Sequence, residues 1–257
     1  MTPENAPTRS IAKPSIQSLL LQMRFGDTVL GPATGFVVNG LNGRPLLITN
    51  RHVVRGRHQD TDQPLNTKTL GIPDRLTVWH NHAGHLGQWI AVTEPLYDVD
   101  APRWKEHPKH GARADLAALP LTDLQGVELY AYDPANPGAA IAVGPGDAVS
   151  VVGFPFGFAG GGRFAIWATG FMATEPIADF NDLPVSLIDC RARQGQSGSP
   201  VIAYRNTGSW PTEGGGTTVS AGPAWRLLGV YSGRINVESD LGVMWKLSAL
   251  SELIASA

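Results

Sequence analysis

The chain has 257 residues, 42% of them hydrophobic, with 30 glycines, 20 prolines, one cysteine and a formal net charge of −2. That length suits one or two domains with a sizeable core, and the glycine and proline content favours many turns over long helices. A near-neutral balance without a polybasic run argues against nucleic-acid and membrane-surface partners, and a single cysteine excludes an intramolecular disulfide.

In chain order, residues 1–14 are polar and proline-rich and read as a flexible tail that lacks the apolar core of a signal peptide. No run approaches the roughly 18 apolar residues of a membrane span. Together with the lone cysteine, this predicts a cytoplasmic protein. Residues 15–23 are compatible with a short helix or an entering strand. Over 15–121, apolar stretches separated by Gly, Pro, Asn and Asp clusters predict a first β-barrel, with 55–75 and 97–113 as long surface loops. A connector over 122–139, rich in Pro and Gly around Asp133-Pro134-Ala135-Asn136-Pro137-Gly138, leads to a second barrel over 140–247. Within it, Gly160-Gly161-Gly162 marks a hairpin turn and 206–216 a loop or mobile hairpin tip. Residues 248–257 open on a capping-type Ser248 and carry Leu250, Leu253 and Ile254 at helical spacing, which predicts a terminal helix.

Three segments carry chemistry. Gly195-Gln196-Ser197-Gly198-Ser199-Pro200-Val201 sets one serine between glycines ahead of an apolar run, and a glycine at 195 lets the backbone bring its N–H beside that of Ser197, as an oxyanion hole over 195–197 requires. A serine hydroxyl is unreactive near neutral pH, so such a nucleophile needs a base and an orienting acid. His52 closes the apolar run Pro45-Leu46-Leu47-Ile48-Thr49-Asn50-Arg51-His52, and Asp115 opens Asp115-Leu116-Ala117-Ala118-Leu119. The order His, Asp, Ser discriminates between folds. An α/β-hydrolase needs its histidine after the serine, but all seven histidines precede residue 111; a subtilisin-like order would need an aspartate before His52, where only Asp27 is available.

These segments, with Gly35-Phe36-Val37-Val38, Val149-Ser150-Val151-Val152-Gly153-Phe154-Pro155 and Gly229-Val230-Tyr231-Ser232-Gly233, resemble the trypsin/chymotrypsin-like serine peptidases, in particular their bacterial glutamyl-endopeptidase-like and HtrA-like branches. The resemblance runs from about Thr28 to the C-terminus. It implies an all-β fold of two antiparallel six-stranded barrels with a short C-terminal helix, and a serine endopeptidase using Ser197, His52 and Asp115 through an acyl-enzyme. It also implies a primary pocket floored by Arg191, with Arg193 two residues on and Tyr231, Ser232, Gly233 and Arg234 along the wall. A cation there would favour acidic side chains before the scissile bond. The partner implied is a polypeptide substrate, and a regulatory protein partner is one way to control such an enzyme. Two other uses of the same residues are a peptide-binding pseudoprotease and an esterase.

The remaining reactive residues read as structural. His80, His82, His85, His107 and His110 lie in polar loop-like sequence without a matched second pair, so they are expected to be solvated surface histidines and no metal is expected. Gly160-Gly161-Gly162 lacks the Lys and Ser/Thr of a phosphate-binding loop, and no cofactor is expected. Cys190 sits in an apolar run, as a buried structural thiol would.

Overall fold

The computed structural model describes residues 11–236 and 238–257; most of the predicted N-terminal tail lies outside the described residues. The chain between Lys13 and Phe25 combines the two expected alternatives, a single helical turn Pro14–Gln17 running into strand Ser18–Phe25. That strand lies between Arg75–His82 and Thr28–Asn39, and the sheet continues through Pro45–Thr49, Ala117–Pro120 and Lys105–Glu106. Trp89–Pro95 and the short Val127–Glu128 also pair with Arg75–His82. Among the described residues the N-terminal sheet therefore has eight strands rather than six, because two-residue strands add to it at 105–106 and 127–128.

The C-terminal half is a closed barrel of six strands, in the order Ala148–Gly153, Ile166–Met172, Val185–Asp189, Leu241–Lys246, Ala224–Arg234 and Pro200–Arg205. Segment 206–216 contributes strand Gly208–Pro211 of a two-stranded hairpin completed by Thr217–Ser220. Gly160 bridges Phe164 across the glycine turn. The helix Leu247–Ala255 starts directly from the last barrel strand; Lys246 occupies the cap position without a side-chain hydrogen bond, so Ser248 lies inside the first turn and does not cap it.

Why the strand runs are unbroken apolar stretches follows from what each face covers. Side chains alternate across a strand. In Pro45–Thr49, Leu47 enters the core of the N-terminal sheet, with Leu21, Val37 and Val78, while Leu46 and Ile48 face a second core shared by both halves. Val151 and Val201 likewise face the inside of the C-terminal barrel, and their neighbours Val152 and Ile202 join the shared core. Each of these fully buried side chains contributes about 1.5–3 kcal/mol.

The chain ends cross over. Near the N-terminus, Ser18 Oγ donates to the Val152 carbonyl at 2.8 Å and Trp167 Nε1 donates to Ser15 Oγ at 2.9 Å, anchoring the first turn on the C-terminal barrel. At the other end, Leu250 and Leu253 join Ala114, Leu116 and Ala118 in the shared core, and Lys109 Nζ pairs with Glu252 at 2.6 Å.

Two histidines expected on the surface are buried: His80 is 1% exposed and His107 2%. Strand pairing with Ile90 carries His80 inward, and neither ring nitrogen has a hydrogen-bond partner there. Burial pushes the His80 pKa down to about 4 from 6.5. Between these values the unfolded chain binds the extra proton, so stability falls as pH drops from 6.5 towards 4, by about 3 kcal/mol from this group. His80→Leu should flatten the dependence of unfolding free energy on pH across that window by about this amount, as measured by denaturant titration at each pH. Parallel curves for the two proteins would refute the assignment.

Candidate active site

His52 sits in the helical turn Arg51–Arg55 that follows strand Pro45–Thr49. Asp115 lies between the 3-10 turn Gly111–Arg113 and strand Ala117–Pro120, which pairs with the His52 strand. The buried Asn50 donates from Nδ2 to the Asp115 carbonyl at 2.7 Å, so the two segments are tied through the backbone as well as through their side chains.

The Asp115 residue is 3% exposed. Its Oδ1 accepts the His52 backbone N–H at 2.9 Å, its Oδ2 accepts His52 Nδ1 at 2.6 Å, and the Ser232 hydroxyl donates to the same Oδ2. Burial alone would raise the Asp115 pKa, but the His52 imidazole and these donors outweigh it and hold the carboxyl below its usual range. With Nδ1 committed to the carboxylate, Nε2 is left as the acceptor.

The Ser197 segment is a turn held from both halves of the molecule. Gln196 N–H donates to the Arg193 carbonyl at 3.1 Å, and Gly195 has a φ of 95°, which together make a type II turn with glycine at the position that needs positive φ. The Gln194 carbonyl accepts from Phe156 N at 2.6 Å, and the Gly195 carbonyl accepts from Thr34 Oγ1 at 2.8 Å. Because the Gln194 carbonyl points at Phe156, the Gly195 N–H of the same peptide points the opposite way. Among the described residues, neither the Gly195 nor the Ser197 N–H has a hydrogen-bond partner. Two adjacent vacant donors can hold an anionic oxygen.

Thr34 uses every polar group it has. Its N–H donates to the Ser197 carbonyl at 2.9 Å, its own carbonyl accepts from Thr49 Oγ1 at 2.8 Å, and its Oγ1, besides reaching Gly195, accepts from Phe154 N at 3.1 Å. Gly198, with φ 83°, packs so closely on Thr34 and Thr49 that a Cβ would collide with both.

Ser197, His52 and Asp115 line one cavity of 440 Å³. The Ser197 hydroxyl donates to the Ser232 carbonyl at 3.3 Å, so its proton points at Ser232 and not at the imidazole. Ser232, Gly233 and Arg234 also line this cavity, together with Arg113 and Phe180, which the sequence did not single out.

Four expected site residues lie elsewhere. Arg191 is 85% exposed and reaches towards Asp240 at 3.7 Å, and Arg193 approaches the same carboxylate at 3.6 Å while donating to the Ala192 carbonyl. Both therefore point out of the cavity. Tyr231 is buried among Ile188, Cys190, Ala192 and Met244, and touches the serine turn only through its backbone, accepting from Gly198 N at 2.9 Å and donating to the Ser199 carbonyl at 2.8 Å. A register shift between Tyr231 and Gly233 separates it from the cavity wall. Gln196 offers no oxyanion donor because the Arg193 carbonyl holds its N–H; its side-chain Oε1 instead accepts from Arg193 N at 2.7 Å.

Sequence reasoning also missed Thr34, Phe156 and the contact of Ser232 with the carboxylate. For Thr34 a signal existed: a hydroxyl residue immediately before the apolar run Gly35-Phe36-Val37-Val38. Among the described residues no cluster of three His, Cys, Asp or Glu side chains could hold a metal ion, and no helix is long and apolar enough to cross a membrane.

No curated protein sequence matches the chain. Among solved structures, the fold is similar to that of a thermostable serine protease, AL20, from an extremophilic microorganism, at 11% identity and a TM-score of 0.52 over 95% of this chain and 98% of the other. It is also similar to a serine endoprotease of Yersinia pestis, at 13% identity and a TM-score of 0.51 over 94% of this chain and 62% of the other. The inactive form of the Rv3671c protease, from M. tuberculosis, aligns at 19% identity and a TM-score of 0.49, covering 95% of this chain and 89% of its own. A sequence model of the trypsin-like peptidase domain matches residues 33–208, which takes in His52, Asp115 and Ser197 and well over half of the chain. The chain accordingly belongs to the trypsin-like peptidase family and is a serine protease.

Proposed function

We propose that the protein is an endopeptidase that cleaves polypeptides through an acyl-enzyme on Ser197. The observation that carries this reading is the 2.6 Å bond between His52 Nδ1 and Asp115 Oδ2 on the wall of the cavity that Ser197 also lines. His52 Nε2 takes the Ser197 proton as Oγ attacks the peptide carbonyl, then returns it to the leaving amine. For this the hydroxyl turns from the Ser232 carbonyl to the imidazole, a tightening expected when substrate fills the cleft. The Gly195 and Ser197 N–H groups hold the tetrahedral oxyanion, a contribution on the order of 3 kcal/mol per donor. Water then attacks the acyl-enzyme through the same base.

The substrate preference of the site follows its charges. Arg113 and Arg234 line the cavity with the exposed Asp60, so an acidic side chain of the substrate finds a guanidinium partner there, and Arg234 takes the role that the sequence pattern suggested for Arg191. A reducing compartment suits the chain, whose lone Cys190 is buried with its pKa pushed up to about 11 by burial and by the Asp189 and Asp240 charges.

Ser197→Ala and His52→Ala should each abolish peptide hydrolysis and fluorophosphonate labelling while leaving the unfolding transition in place. The double variant should be no worse than either single one, because the pair acts as a unit. Asp115→Asn should lower kcat by roughly 10⁴-fold, since an amide in place of the orienting carboxylate of a Ser-His-Asp triad supports the wrong imidazole tautomer. Wild-type turnover in Ser197→Ala would remove the nucleophile assignment.

Specificity is read separately with a peptide library. Arg234→Ala should lower the ratio of acidic to neutral substrate cleavage by roughly 10-fold, and Arg191→Ala should leave that ratio where it was. The reverse pattern would return the role to Arg191.

A further inference from the structure

Arg51 stands immediately before the base, at the first position of the helical turn Arg51–Arg55. Two features of that turn call for an anion near its start. A cation at a helix N-terminus opposes the helix dipole, and the first turn contains no acidic residue. The Asn50 side chain, at the capping position, is spent on the Asp115 carbonyl and makes no capping bond. At five residues the turn is too short to persist by itself, so its orientation is set by what packs against it.

Glu106 supplies the anion. Arg51 Nε lies 2.9 Å from Glu106 Oε1, and the Arg51 side chain is only 11% exposed. A guanidinium so covered is strongly unfavourable unless an anion accompanies it. Glu106 is itself held: Trp104 Nε1 donates to the same Oε1 at 3.3 Å, and the buried Trp104 ring meets Tyr97 edge to face at 5.4 Å. The strand Lys105–Glu106 pairs with Ala117–Pro120, just beyond Asp115.

The peptide between Arg51 and His52 is planar, and its N–H donates to Asp115 Oδ1 at 2.9 Å. Asp115 therefore grips this peptide directly, and Glu106 grips it through the Arg51 side chain. From the same peptide the His52 imidazole departs, and its Nδ1 meets Asp115 Oδ2 at 2.6 Å. Neither Arg51 nor Glu106 lines the catalytic cavity.

We infer that Glu106 is a positioning residue for the catalytic base: by holding Arg51 it fixes the rotation of the helical turn, and so the direction in which His52 presents its imidazole. The inference rests on the reading of His52 as the base that serves Ser197.

The test combines steady-state kinetics, fluorophosphonate labelling and proton NMR on the full chain. Glu106→Gln keeps the side-chain length and an oxygen for Trp104 but removes the charge. It should lower kcat by about 10-fold and leave KM unchanged, since a small misplacement of a catalytic group slows the chemistry without touching substrate contacts. Glu106→Ala should lower kcat by up to about 100-fold. In both variants the far-downfield proton resonance of the His52 Nδ1–Asp115 bond, identified by its absence from His52→Ala, should weaken or shift. Arg51→Met combined with Glu106→Gln leaves no charge unpaired and should recover kcat to within about 3-fold of wild type. Glu106→Gln keeps the inference testable if Glu106→Ala fails to fold. Wild-type kcat and an unchanged resonance in the folded single variants overturn the positioning role and leave His52 as the base. So does a loss expressed in KM, or one that the double variant does not relieve. Unfolding of both single variants at the assay temperature makes the pair a prop of the fold and overturns the role as well. A wild type that neither labels nor cleaves overturns the reading of Ser197 and His52, and the positioning role with it.

Discussion

The cleft depends on one buried charge. A carboxylate removed from water costs several kcal/mol unless donors replace its hydration, and Asp115 takes those donors from opposite sides of the molecule. His52 gives it two, from the N-terminal sheet, and Ser232 gives the third, from the C-terminal barrel. Either half alone would leave the charge incompletely paired. The ionised state of Asp115 and the mutual placement of the two halves are therefore one constraint, and the imidazole orientation is a by-product of satisfying it.

The serine turn obeys the same logic through the backbone. It belongs by sequence to the C-terminal half, but Thr34 of the N-terminal sheet holds the carbonyls of Gly195 and Ser197. Each carbonyl so engaged has a fixed direction, and fixing it sets the N–H of the peptide to which it belongs. Of the two vacant donors, the Gly195 N–H shares its peptide with the Gln194 carbonyl, which Phe156 N holds, and the Ser197 N–H shares its peptide with the Gln196 carbonyl, which accepts from Ser199 N at 3.0 Å within the turn itself. A site assembled this way presents its donors before any substrate arrives, which is the condition for strong electrostatic stabilisation. Gly198 allows the approach, since the space a Cβ would need is occupied by Thr34 and Thr49.

How much of this could be read from residues alone depended on whether the signal was local. Unbroken apolar runs such as Leu46-Leu47-Ile48 marked strands correctly, because both of their faces are buried and each face leaves an apolar imprint. The spacing of Leu250, Leu253 and Ile254 marked the helix for the same reason. The two-residue strands at 105–106 and 127–128 left no imprint; two residues are too few to show an alternation, and each strand is defined by its pairing with a neighbour. His52, Asp115 and Ser197 were legible as residue types in an order, and the structure brings them to one cavity. The directions of Arg191, Tyr231 and Ser232 were not legible. They turn on a register shift and on a competing carboxylate, Asp240, some fifty residues along the chain, and neither is a property of the residues concerned.

The crossed chain ends bear on timing. Ala114 and Leu116, the neighbours of Asp115, share a core with Leu250 and Leu253, more than 130 residues later. A polypeptide emerging from the ribosome at roughly 5–20 residues per second completes the His52 and Asp115 strands well before that helix exists. Until it does, the segment carrying Asp115 lacks part of its packing, and contacts so distant in sequence form late. The nascent chain thus displays its histidine and aspartate for many seconds without a finished cleft, and hydrolytic competence waits on side chains synthesised more than 130 residues after Asp115.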